Sequence, residues 1–210
     1  MSHAEATHTA GTVPRSTAAV TIAVIVTVVV LQIAIALAGL ALTYVLDESR
    51  TSLTLTTIAT IVLNALVYAA VAAGAAYIAR TPTGRLLGIV LPMLSWLLSS
   101  LLWNALTQVY GIYNAAIAGI LTPLFLVMVL AGWGCAAWTG RRWLIGLPVT
   151  YLLLIAVQVS LSLVLTPTMS IGNVAIMLVV SAFTTLATTL VLVLGGLVCW
   201  RLARTEQAGK

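Results

Sequence analysis

Six apolar runs, none containing Asp, Glu, Lys, Arg or His, divide this chain of 210 residues. They cover about 17–46, 52–79, 86–107, 114–138, 143–165 and 174–200. A helix needs about 20 apolar residues to cross a hydrocarbon layer roughly 30 Å thick, and every run reaches that length. Hydrophobic residues make up 62% of the chain and charged residues 6%. A soluble domain of this size would need about 25% charged residues to clothe its surface. In lipid only a helix or a closed barrel satisfies its own backbone, and runs this long fit helices. The sequence therefore predicts an all-α bundle of six transmembrane helices with short loops, in contact with the lipid bilayer.

The first run follows a basic residue, as a signal peptide would. It is about 30 residues long, whereas a cleaved apolar core is typically about 7–15, so it is read as a retained helix. Residues 1–16 are read as a disordered cytoplasmic tail and residues 201–210 as a second polar tail. Asp47–Arg50, Arg80–Arg85 and Thr139–Arg142 break the runs, and Gly140 suits a helix end.

Orientation follows from the basic residues. With the N-terminus inside, Arg15, Arg80, Arg85, Arg141, Arg142, Arg201, Arg204 and Lys210 are cytoplasmic, and only Arg50 lies outside. The expected topology is N-in and C-in, in a bacterial cytoplasmic membrane. The arginine-heavy basic set and abundant Ala, Val, Leu and Gly suggest a GC-rich bacterial source. Tyr77, Trp133, Trp138, Trp143 and Trp200 are expected at the inner interface. The basic residues sit singly or in pairs at the ends of runs, so no nucleic-acid surface is expected despite the net charge of +5.

The spans lack the groups that most membrane chemistry requires. Proton relays and counter-ion sites use ionisable residues inside the bilayer. The two histidines, His3 and His8, lie in the first tail. Cys135 and Cys199 form no C-x-x-C pair and are read as packing residues, so no metal or cofactor is expected. An enzyme is not expected. The remaining polarity is uncharged. Thr57, Thr60, Asn64 and Tyr68 share one helical face. Ser95 pairs with Ser99, Ser100 with Asn104, and Gln158 with Ser162; Ser181, Thr184, Thr185 and Thr188 form a stripe. Gln32 lies mid-way along the first run. An amide facing lipid would lack partners, so Gln32, Asn64, Ser99, Asn104 and Gln158 are the candidate interior or solute-lining residues.

Ala34 and Ala38, Ala70 and Gly74, and Ala115 and Gly119 are spaced for close helix approach. Pro92, Pro123 and Pro148 are expected inside helices, as kinks. Thr83-Gly84-Arg85 with Leu91-Pro92, and Thr139-Gly140-Arg141 with Leu147-Pro148, hint at a duplicated hairpin. Length and helix count are similar to those of the substrate-binding membrane subunits of energy-coupling-factor transporters. Ala34-x-x-x-Ala38 resembles their small-residue packing. Two functions are expected of such a chain. One is a non-enzymatic subunit or partner, by association with a membrane protein or with itself, in an envelope or transport assembly. The other is a permease component for a neutral or apolar solute, energised by a separate subunit.

Overall fold

The computed structural model describes residues 17–45, 50–104, 115–169 and 174–208. The first tail and three inter-helix loops fall outside those residues. The described elements are all helical: α1 (Thr17–Val45), α2 (Arg50–Ile78), α3 (Pro82–Asn104), α4 (Ala115–Ala137), α5 (Gly146–Met169) and α6 (Val174–Ala208). A short 3-10 turn, Arg142–Ile145, leads into α5. All six helices are long and apolar enough to cross a membrane. The chain is a multi-pass membrane protein.

The helices close into a ring. α1 packs on α2 and α6, α2 on α3, α3 on α4, α4 on α5 and α5 on α6, while α4 also reaches α2 and α6. α4 is therefore the most enclosed span, and the apolar stretch of α1 is the least. Ile22, Val26, Val30, Ile33 and Leu37 recur at helical spacing on α1 and are exposed, which lipid permits.

Small residues decide which faces meet. On α3, Gly84, Gly88, Pro92 and Ser95 share one side and turn it to α4. A Cβ at Gly84 would lie 2.5 Å from the Cys135 carbonyl oxygen, and one at Gly88 3.1 Å from the Ala136 Cβ. Pro92 is fully buried, and a Cβ at Gly132 of α4 would come within 2.8 Å of its Cδ. Gly74 of α2 leaves room for Val24 of α1 and Trp133 of α4. On α5, Gly146, Thr150 and Leu154 recur every fourth residue and are buried. Gly146 and Thr150 meet Cys199 and Gly195 of α6. Gly119 has nothing within 4 Å of the place its Cβ would occupy, so among the described residues it is not a close-approach point.

The two turn motifs are not structurally alike. Thr81 caps α3: its Oγ1 accepts from Gly84 N–H at 3.0 Å, with Pro82 at the first helical position. α3 thus begins four residues before its apolar run. Gly140 instead takes φ of +86°, where glycine alone is unstrained. Pro92 and Pro123 lie inside their helices, as expected. Pro148 does not kink α5, because it falls in the first turn, whose N–H groups have no helical partner. The duplicated-hairpin expectation has no counterpart in these two geometries. α5 also runs on through Pro167 to Met169, and α6 continues as helix to Ala208 through the polar segment read as a tail.

Candidate functional site

Polar side chains concentrate in two places, one at mid-bundle and one at an end. At mid-bundle, α2, α3 and α4 form a polar seam. Ser95 is fully buried, and its Oγ donates to the Phe125 carbonyl across the α3–α4 seam at 2.8 Å. The phenol of Tyr68 on α2 lies beside the Ser95 and Ser99 hydroxyls. Ser99 Oγ donates to its own helix, to the Trp96 carbonyl at 2.9 Å. Interhelical bonds of this kind contribute roughly 0.6 kcal/mol each and at most about 2.

The candidate residues divide over this framework. Ser99 lies in the seam. Asn64 lies one turn from Tyr68 on α2, is half-buried and is partnered. Gln32 is half-buried on α1 and Gln158 half-buried on α5. α1 packs on α2 and α6 while α5 packs on α4 and α6, so the two amides sit on helices that do not pack on each other and share only α6 as a neighbour. The side chains of Asn104, Thr57, Thr60, Ser162 and Ser181 lie outside the description. Elsewhere hydroxyls bond within their own helices. Thr184 donates to the Val180 carbonyl at 2.8 Å, Thr188 to Thr184 at 2.7 Å and Thr150 to Gly146 at 2.8 Å. Among the described residues two buried polar atoms lack a partner, Gln158 Oε1 and Trp96 Nε1.

The second concentration joins the α4–α5 turn to the last turns of α6. Glu206 Oε2 accepts from the backbone N–H of Arg141 at 2.7 Å and of Arg142 at 2.9 Å. The N–H groups that open the 3-10 turn thus receive a carboxylate that lies 64 residues on from Arg142, near the end of α6. Trp143 Nε1 donates to the Gly140 carbonyl at 3.1 Å, and Trp138 stands edge-on to Trp143 with centroids 5.5 Å apart. Trp143 is 4% exposed and packs with Leu130, Cys199 and Ala203, so its ring belongs to the core at this end of the bundle. Both cysteines are free; Cys199 belongs to this cluster and Cys135 packs against it. Arg204 stacks 4.3 Å over the Trp200 ring. Arg141, Arg142, Arg201 and Arg204 are all exposed around this ordered turn.

The same end carries the α2–α3 turn. Arg85 Nε donates to the Ala76 carbonyl at 3.1 Å and so caps the C-terminus of α2. Val20 near the start of α1 packs against Ala75, Ile78 and Ala136. The first turn of α1, the end of α6 and both arginine-bearing turns therefore share one end of the bundle. Sequence reasoning missed Glu206, whose partners are distant in the chain, and the Gly84-x-x-x-Gly88 face. The small-residue spacing of that face was the signal that could have found it. No protein-family model, no curated protein and no solved structure matches this chain.

Proposed function

We propose that this protein is a non-enzymatic subunit or docking partner of a larger membrane assembly. It sits in the bacterial cytoplasmic membrane with both termini inside. The observation that carries the reading is the ordered, arginine-bearing surface at one end. There α6 continues as helix to Ala208, and its Glu206 carboxylate fixes the Gly140–Arg142 turn. An exposed turn that only linked two spans would not need a carboxylate from a third helix. The guanidiniums that this surface presents suit a partner segment rich in carboxylates. The basic bias among the loops supports placing this end in the cytoplasm. The bonding of Ser95, Ser99, Thr150, Thr184 and Thr188 to helix carbonyls supports an interior built for packing.

A photo-crosslinking residue at position 204, used in native membranes, tests the reading. A single adduct with another membrane protein is expected, and it should disappear when Glu206→Ala frees the turn. Adducts with lipid alone would overturn it. The second reading, a permease component for a neutral solute, is favoured by the unpartnered Gln158 Oε1 and Trp96 Nε1. Under that reading Gln158→Leu abolishes uptake; under the first it only removes an unsatisfied polar atom and leaves assembly intact.

A further inference from the structure

An open groove of about 480 Å³ lies over the α2–α3 turn, lined by Arg80, Thr81, Pro82, Arg85, Leu86 and Ile89 among others. Its composition is graded along α3. Arg80 and Thr81 stand at the rim, before the helix begins. Arg85 lies one turn in, and Ile89 follows Arg85 at the next helical turn on the same side, about 6 Å deeper. Leu86 is 61% exposed and Ile89 39% exposed. The groove therefore passes from cationic to apolar as α3 descends into the span. Exposed apolar side chains continue below it at Val90, Leu94 and Leu97.

We propose that this groove binds an anionic phospholipid, with the phosphate at Arg80 and Arg85 and an acyl chain along Leu86 and Ile89. Three features favour a lipid over a soluble anion. First, the order of charged and apolar groups matches that of an amphiphile entering from the interface. Second, Arg85 is held in place, because its Nε already bonds the Ala76 carbonyl, and that leaves its terminal nitrogens to face a phosphate. Third, among the described residues no acidic side chain lines the groove to offset the two guanidiniums. The positive end of the α3 dipole adds to the same field, and Thr81 retains its hydroxyl proton as a donor. Basic pockets between spans are a recurrent way of holding lipid headgroups.

Native mass spectrometry of the purified full-length protein can test this, with dioleoylphosphatidylglycerol, dioleoylphosphatidylcholine or inorganic phosphate added to the micelles. The protein should retain one phosphatidylglycerol in preference to phosphatidylcholine. Arg80→Gln, which leaves the Arg85 cap of α2 intact, should lower that retention about fivefold, the factor for roughly 1 kcal/mol per surface guanidinium. R80Q/R85Q should lower it further. R141Q/R142Q removes the same charge from the other turn and should leave it unchanged. Equal loss in the two double variants would reduce the effect to net charge and overturn the site. Displacement of the lipid by millimolar inorganic phosphate would overturn the lipid assignment. So would unchanged retention in R80Q.

Discussion

Gly195→Leu is expected to prevent α5 from seating against α6, and Gly195→Ala to destabilise the bundle by about 2 kcal/mol, within the usual range for overpacking. The reason is local and severe. A Cβ at Gly195 would enter van der Waals space already held by Thr150 Oγ1 and Cγ2, and would lie 2.9 Å from Thr150 Cβ. Thr150 cannot swing away at no cost. It is 1% exposed, and its hydroxyl is bonded to the Gly146 carbonyl at 2.8 Å. One turn further along, Gly146 meets Cys199 in the same way, so the two helices cannot slide to make room. Thr150→Ala removes two of the three offending atoms. The double variant G195A/T150A should therefore be more stable than G195A by about 1 kcal/mol, a coupling that independent sites would not show. Unfolding of the detergent-solubilised protein by added sodium dodecyl sulfate measures it. Equal stability of G195A and the parent protein would contradict the close approach.

Glu206→Ala should open the α4–α5 turn without disturbing the spans. Hydrogen bonds to a charged group contribute about 1.5–3 kcal/mol each when sheltered. Glu206 is only half-buried, so solvent screening reduces the pair of bonds to about 2 kcal/mol in total. That corresponds to roughly a 30-fold rise in the open population. Trypsin reads this directly, because the turn contains Arg141 and Arg142. Cleavage there should accelerate by about that factor in E206A and by less in Glu206→Gln, which keeps one acceptor. Gly140→Ala should act similarly, since a left-handed backbone costs a non-glycine residue about 1–2 kcal/mol. The Cβ it adds would also meet the Glu206 carboxylate. Once Glu206→Ala has removed that carboxylate, Gly140→Ala should cost less than it does alone. A strictly additive pair, or an unchanged trypsin rate in E206A, would contradict the latch.

What the sequence made legible was polarity along the axis. Run length and the absence of charge place six helices, and the turn residues Thr81, Pro82 and Gly140 mark where some of them start or stop. Lateral arrangement was far less legible. A helix such as α4 is apolar all round, so polarity cannot tell its lipid side from its neighbour side. Only the small residues carry that information, and they do so ambiguously. Gly74 and Gly195 mark close contacts whereas Gly119 marks open space, with nothing in their local sequences to separate them. Proline was ambiguous for a related reason: Pro92 and Pro148 look alike, but only one lies beyond the first turn of its helix. Gln32, Asn64 and Gln158 lie near the middle of their helices, whereas Asn104 is the last residue of α3. That Gln32 and Gln158 sit on helices separated by α6 depends on the order of the helices around the ring, which periodicity does not encode. Glu206 was hidden because a carboxylate in a polar C-terminal segment reads as solvated until its distant partners are known.

Six crossings bring the start of α1, the end of α6 and both arginine-bearing turns to one end of the bundle, the end proposed to be cytoplasmic. Single cysteines at positions 81, 139 and 207, in a background of Cys135→Ala and Cys199→Ala, can be challenged with a membrane-impermeant maleimide in intact cells. None of the three should label until the membrane is permeabilised, whereas a cysteine at position 111 or 172 should label at once. Labelling of position 139 or 81 in intact cells would contradict the topology on which the docking surface depends.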